Sequence, residues 1–355
     1  MREPIRLLIL GSGSMGTGVA RLAYQKQGLA LTGIYARRPE RNGLVPGSAL
    51  GLDPDPGFLI MTDLDAAIAA SRPDVAIQAT CSTLADAKVE ISTLIRHGVN
   101  VISIAEEMAF PACVSPEIAD ELHALAVDNG VSVLGTGINP GFVLDTLIIA
   151  LSGVCADITA ITATRVNDLT PFGRSVLSGQ GVGLTPDEFR QGLDDGSVVG
   201  HVGFVQSMHM IARALGWDID RIEETREPII STVRRKTEFV TVEPGQVAGC
   251  LHTAQAWVNG RSAITLVHPQ QVLPGLENVA TGDIIEITGT PDIKLSGSPE
   301  IPGGQGTVAL AVNAIPRVLN AAPGLHTMAD LTVPSAVLAD MRTFVHDQKG
   351  GDAND

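Results

Sequence analysis

The apolar run Ile5–Leu10, IRLLIL, passes without a break into GSGSMG, and this junction constrains the fold more than any other feature of the chain. A short, nearly continuous apolar run suits a strand buried on both faces of a parallel sheet. Gly11, Gly13 and Gly16 follow it at GxGxxG spacing, and SMGTGVARLAYQKQG then carries apolar residues at helical spacing up to Gly28. LALTGIY supplies a second strand. In such a unit the first glycine permits a tight turn, the second lets backbone approach a pyrophosphate, and the third lets helix and strand pack closely. The helix N-terminus directs free N–H groups at the phosphates. A glycine-rich turn without a ligand is the competing explanation, but the strand before it and the helix after it favour a dinucleotide site. Its expected residues are Gly11, Gly13, Ser14, Met15 and Gly16.

The end of the second strand bears on which dinucleotide. NAD-selective sites place Asp or Glu about 20 residues past the glycines, to hold the ribose 2′-hydroxyl. Here the chain reads GIYARRPER, with Arg37, Arg38 and Arg41 and no acid before Glu40. Guanidinium groups bind phosphate well, so NADP(H) is the expected preference, with NAD(H) possible. The plainer alternative is a loop with three surface arginines.

Strand and helix patterns keep alternating. DLDAAIAAS, TLADAKVEISTLIRHG and SPEIADELHALAVDNG read as helices, and PDVAIQAT, VNVISIA and VSVLGTG as strands. This predicts an α/β fold with a doubly wound parallel sheet, in which ligands bind beyond the carboxyl ends of the strands. Thr80 falls at one such end and is an expected cofactor contact. VISIAEEMAF places Glu106 and Glu107 at another. Neighbouring strand residues face opposite sides, so one of the two glutamates is expected to face the site. GTGINPGF, Gly135 to Phe142, reads as a specialised turn. Beyond it, FVLDTLIIALSG reads as a helix, ITAITATRV as a strand, NDLTPFGRSVLSGQGVG as a loop, and HVGFVQSMHMIARALG as one helix holding both His201 and His209. From Asp218 to Leu295 the pattern turns β-rich, predicting a second α/β domain on a mixed or antiparallel sheet. Pro316 should divide the last apolar helix. The expected boundaries are 1–140 for the dinucleotide-binding domain, 141–300 for a substrate and dimerisation domain, 301–345 for a helical segment returning to the first domain, and 346–355 for a flexible tail.

Composition removes several function classes. The 355 residues carry a formal net charge of −15, which disfavours nucleic acid and anionic membrane as partners. The first apolar stretch is too short for a leader or a span, and the four cysteines form no CxxC pair. A cytoplasmic protein is expected. No lysine lies between Lys88 and Lys236, and no HExxH or other metal-ligand cluster occurs, so no metal is expected. Acid–base work near the strand ends is left to carboxylates, chiefly Glu106, Glu107 and Asp168, with His201 as an outside candidate.

Taken together, GSGSMG, AEEMAFP, GTGINPGFVLDT, RVNDLTPFG, QGVG, GHVGF and GTVALAVNAIPRVL resemble the 2,4-diaminopentanoate dehydrogenase family, which includes native NAD(P)-dependent amine dehydrogenases, and more remotely dihydrodipicolinate reductase. The resemblance runs in matching order over nearly the whole chain. It implies an N-terminal Rossmann domain, a homodimer, and reversible oxidative deamination of a primary amine to a ketone or aldehyde with release of ammonia. It places the family's glutamate at AEEM, with Glu106 preferred over Glu107. It also suggests Asn139 and Pro140 at the nicotinamide, and Ile138, Arg165, Asn167, Thr170, Phe172 and His201 on the substrate side. The substrate is either 2,4-diaminopentanoate, whose carboxylate Arg165 or Arg174 would bind, or a short-chain amine or ketone without that group. Two other readings stand beside this one. A cyclic-imine reductase is disfavoured because the chain lacks the paired histidines and lysine of such enzymes. A non-catalytic NADPH-binding regulatory protein would have no use for Glu106.

Overall fold

The computed structural model describes residues 3–346. These form two compact units, one of residues 3–141 with 303–346, the other Phe142–Pro302. The expected tail at 346–355 lies, apart from His346, outside the described residues.

In the first unit, strands β1 (Ile5–Leu10), β2 (Leu29–Tyr35), β3 (Val75–Gln78), β4 (Asn100–Ser103) and β5 (Ser132–Gly135) alternate with helices α1 (Ser14–Tyr24), α2 (Pro46–Leu50), α3 (Leu64–Ser71), α4 (Leu84–Arg96) and α5 (Pro116–Asp128). The strands are short and apolar because both sheet faces are covered; β3 and β5 are buried at every position. Leu8, Leu10, Ala76, Val101 and Val133 from the strands pack with Leu84, Ala87, Ile91, Leu94 and Leu122 from the helices. Helix starts follow local chemistry. Thr83 accepts from the Asp86 N–H at the head of α4, and Ser115 accepts from the Ile118 N–H ahead of Pro116 in α5.

The second unit runs through helix α6 (Thr146–Ser152), strand β6 (Asp157–Asp168), helices α7 (Arg174–Gly179), α8 (Pro186–Asp195) and α9 (Phe204–Leu215), then strands β7 (Arg221–Ile230), β8 (Arg235–Lys236), β9 (Thr241–Val242), β10 (Val247–Val258), β11 (Arg261–Gln271), β12 (Gly282–Thr290) and β13 (Ile293–Gly297). Its large sheet has the order β13-β12-β6-β11-β10-β7. Only β6 and β11 pair in parallel; the other neighbours are antiparallel, so the sheet is mixed. Alternation over 161–168 of β6 and 250–258 of β10 buries one face and leaves the other half exposed.

The chain then re-enters the first unit through α10 (Gly303–Asn313), α11 (Ile315–Asn320) and strand β14 (Gly324–His326). Pro316 opens α11, so the two helices divide at the expected place. β14 adds a parallel sixth strand, completing the order β14-β5-β4-β3-β1-β2.

Three local expectations need correction. β4 ends at Ser103, and Glu106–Ala109 form a 3-10 turn rather than the end of a strand. Strand alternation therefore does not govern the two glutamates. β6 extends through Asn167 and Asp168, which the sequence pattern assigned to a loop, and α7 interrupts that loop. His201 lies ahead of α9, not in the same helix as His209, because Gly200 (φ 70°) and Gly203 (φ 127°) take left-handed backbone before Phe204.

Candidate active site

The three fingerprint glycines occupy three different environments. A Cβ on Gly11 (φ 120°) would meet the Ala79 carbonyl oxygen at 2.6 Å, and one on Gly16 would meet the Gly11 carbonyl oxygen at 2.1 Å. Both are sites of close backbone packing. A Cβ on Gly13 would meet nothing within 4 Å, so that glycine leaves space open to a ligand. Gly13 is also the N-cap of α1, and no side chain caps this helix, leaving its first N–H groups directed at the open space beside Ser14 and Met15. A cavity of ≈150 Å³ lies here, lined by Gly11, Ser12, Gly13, Ala36, Arg37, Arg38, Arg41, Ala79 and Thr80. The residues fit a dinucleotide: glycine where a pyrophosphate must approach, an uncapped helix end, and arginines at the end of β2.

The lining of this pocket carries no carboxylate, but one stands behind Arg37. It is Glu90, from the second turn of α4. Arg37 Nε donates to Glu90 Oε1 at 2.6 Å, and Arg37 Nη2 donates to the Asp86 carbonyl at 3.0 Å. Gln78 Nε2 (3.3 Å) and the Thr80 hydroxyl donate to Glu90 Oε2. The hydrogen bond to Glu90 pushes the Arg37 pKa up, so the arginine stays charged. Glu90 leaves a signal in the sequence. It falls between Ala87 and Leu94 on the buried stripe of α4, where a lone charge requires a partner.

Glu106 and Glu107 have separate surroundings. Glu107 Oε2 accepts the Leu84 N–H at 2.6 Å, at the start of α4, and the Glu107 N–H donates to the Ser82 carbonyl at 3.2 Å. Glu107 is a helix-capping group. Glu106 is half buried. Burial pushes its pKa up, Ser82 hydrogen bonding opposes this, and the Glu107 charge reinforces it. The turn carrying Glu106 is fixed from below, since the Ala105 N–H donates to Ser103 Oγ at 3.2 Å and that hydroxyl donates to Gln78 Oε1 at 2.6 Å. In the loop after β5, Asn139 and Pro140 are joined by a cis peptide, and the Ile138 N–H donates to Thr307 Oγ1 of α10 at 3.0 Å.

The remaining expected residues belong to the second unit. Arg165 is 1% exposed; its Nη1 pairs with Asp283 at 2.6 Å and its Nη2 with the Ile301 carbonyl. Asn167 Nδ2 donates to Glu300 at 3.1 Å. Asp168, an expected acid–base candidate, instead organises a turn, accepting from the N–H groups of Thr170 (2.8 Å) and Leu273 (3.2 Å). Phe172 packs against Leu169, Leu177 and Val242, and Arg174 is exposed at the start of α7. The His201 N–H donates to His252 Nδ1 at 3.1 Å, and the His201 ring lies 4.8 Å, centroid to centroid, from the rings of both Phe204 and His268. Burial pushes the His201 pKa down to about 3 and that of His268 well below its usual range, so both rings are neutral. His252 and His268 face each other across the β10–β11 ladder. Their inward positions follow from strand alternation, but which strands pair depends on contacts remote in sequence.

Among the described residues no group of His, Cys, Asp and Glu is placed to hold a metal, and no helix is long and apolar enough to cross a membrane.

Residues 142–347 match the family model for the 2,4-diaminopentanoate dehydrogenase C-terminal domain, and residues 5–104 match that for the dihydrodipicolinate reductase N-terminus. The chain is 41% identical over 347 residues to 2,4-diaminopentanoate dehydrogenase of Acetoanaerobium sticklandii, covering 98% of each protein. It is 26% identical to an amine dehydrogenase of Streptomyces virginiae, over 94% of this chain and 98% of that protein. Among solved structures, an amine dehydrogenase from Mycobacterium smegmatis superposes with a TM-score of 0.83 at 26% identity, over 94% of this chain and 97% of that one.

Proposed function

We propose that this chain, which belongs to the 2,4-diaminopentanoate dehydrogenase family, oxidises 2,4-diaminopentanoate in preference to simple amines, with Glu106 as its acid–base group. The observation that carries the chemistry is the half-buried Glu106 carboxylate, its pKa raised by desolvation, in the same unit as the dinucleotide pocket. When bound, the nicotinamide group exchanges the hydride with the carbon bearing nitrogen. The protein must manage protons. Glu106 takes a proton from the substrate ammonium, giving the neutral amine that oxidation requires. Glu106 releases that proton to solvent; after the iminium forms, the carboxylate accepts a proton from the water that adds to the iminium carbon, passes it to the departing nitrogen, and takes up the O–H proton as the carbonyl forms. The products are a ketone and ammonia. A raised pKa suits a group that must both accept and return a proton near neutral pH.

The substrate reading rests on the family and on the polar interior of the second unit. His268 has no hydrogen-bond partner at either ring nitrogen among the described residues, and buried polar groups of that kind suit a polar ligand. The arginines at the end of β2 support NADP(H) over NAD(H) as the preferred cofactor. The half-exposed face of the second sheet, with Thr164, Val166, Leu251, Thr253 and Val267, supports a homodimer, to be checked by light scattering. The four free thiols suit a reducing compartment such as the cytoplasm.

The deciding assay measures NAD(P)+ reduction with 2,4-diaminopentanoate and with short-chain amines that lack a carboxylate. A kcat/KM at least about tenfold higher for the diamino acid is expected, the scale of one satisfied polar contact. Equal or better turnover of the simple amines would overturn the substrate assignment.

A further inference from the structure

We propose that Glu90 is a specificity-determining, positioning residue of the dinucleotide pocket: it fixes Arg37 and offsets its charge, leaving Arg38 and Arg41 to hold a 2′-phosphate. The inference rests on the reading of this pocket as a dinucleotide site.

The geometry gives Arg37 a different status from its neighbours. Two of its five N–H donors are committed inward, Nε to Glu90 Oε1 at 2.6 Å and Nη2 to the Asp86 carbonyl at 3.0 Å. The Glu90 side chain is 5% exposed and Arg37 is 38% exposed, so the guanidinium lies over the carboxylate and separates it from solvent. Glu90 is itself immobilised by the Thr80 hydroxyl and by Gln78 Nε2, and Gln78 is fully buried. The result is a rigid pair of net charge zero at the pocket wall. Arg38 and Arg41 line the same cavity and enter no ion pair among the described residues. Unlike Arg37, neither is held by a buried carboxylate among the described residues.

An anion entering this pocket meets the full charge of Arg38 and Arg41 and, at Arg37, a cation cancelled by the carboxylate behind it. Glu90 thus weakens the pocket's discrimination for a 2′-phosphate without touching the cofactor. A ribose bearing only hydroxyls carries no charge at that position and is little affected. The pair narrows the gap between the two nicotinamide dinucleotides.

The test compares binding of 2′,5′-ADP and 5′-AMP, which differ only in the 2′-phosphate, by calorimetry in the parent protein, E90Q and E90D. In E90Q the affinity for 2′,5′-ADP should rise about tenfold, the scale of removing one like charge at this range, with 5′-AMP affinity unchanged. E90D keeps the charge and should discriminate as the parent does. An unchanged ratio in E90Q, or equal weakening for both nucleotides, overturns the proposal. Should E90Q fail to fold, the paired replacement Arg37→Leu with Glu90→Leu removes a neutral pair. Discrimination should then stay within about threefold of the parent, since the pair contributes no net charge. Collapse of discrimination in that protein would make Arg37 the phosphate ligand and refute the assignment. A parent protein that binds neither nucleotide would refute the dinucleotide reading itself, and this inference with it.

Discussion

The Oε2 atom of Glu107 lies 2.6 Å from the backbone nitrogen of Leu84, while its neighbour Glu106 makes no such helix contact and is desolvated. Two adjacent carboxylates thus have distinct surroundings, one at the positive end of α4 and one in the desolvated environment that the proposed proton transfer requires. Glu106→Ala should lower turnover by about 100-fold or more, the usual scale of lost acid–base help. Glu107→Ala should cost about 1 kcal/mol of stability, as loss of a helix cap does, and lower turnover less than tenfold. Steady-state kinetics with urea denaturation on both proteins separates these outcomes. The reverse pattern would exchange the roles.

The direction of the Glu106 shift sets two pH dependences. A base with a raised pKa must lose its proton to act, so kcat/KM for deamination should climb with pH through a limb above 4.5, the ordinary glutamate value. For stability, a folded-state pKa above the unfolded one favours the protonated form in the fold. That contribution is complete below the unfolded value and is lost as pH rises through the folded one. Glu106→Gln should therefore raise the melting temperature near neutral pH, and the gain should vanish below 4.5. Thermal scans across pH test this directly. A gain that persists in acid would mean desolvation is not the cause.

The glycines of the fingerprint should respond differently to the same substitution. Gly13→Ala adds a methyl where the protein has no atom within 4 Å, so stability should hold while dinucleotide affinity falls at least about tenfold through lost close approach. Gly16→Ala places its methyl 2.1 Å from the Gly11 carbonyl oxygen and should destabilise the fold itself. Melting curves with and without NADPH distinguish the two.

Arg165 and Asp283 form the most enclosed ion pair of the second unit that involves an expected substrate residue, with side chains 2% and 12% exposed. Asp283→Ala leaves a buried guanidinium unpaired and should cost about 3–5 kcal/mol. Arg165→Met with Asp283→Leu should cost much less, because the apolar pair strands no charge. Urea denaturation of both variants gives the comparison.

What the sequence revealed was governed by range. The glycine fingerprint and the arginines after Tyr35 act through neighbours within one strand–turn–helix unit, and their spacing carries the chemistry. The glutamates of AEEM could be located but not told apart. The partner that distinguishes them, the N–H of Leu84, is 23 residues away, and the strand ends three residues before Glu106. His201 was misplaced despite a local signal, since the glycines of GHVG already argue against a helix there. Glu90 was missed despite interrupting an apolar stripe. By contrast, the Arg165–Asp283 pair spans 118 residues and depends on β12 lying beside β6, which no local pattern specifies.

β14 contributes three residues to the edge of the first sheet, yet Leu325 pairs with Val133 of β5, made 192 residues earlier. During synthesis the dinucleotide-binding unit must wait, its sheet one strand short, while all of the second unit leaves the ribosome. An exposed parallel edge on a nascent chain invites pairing with other chains. The region between Ser132 and Gly324 is therefore best made without pauses, and chaperone demand should concentrate in that interval.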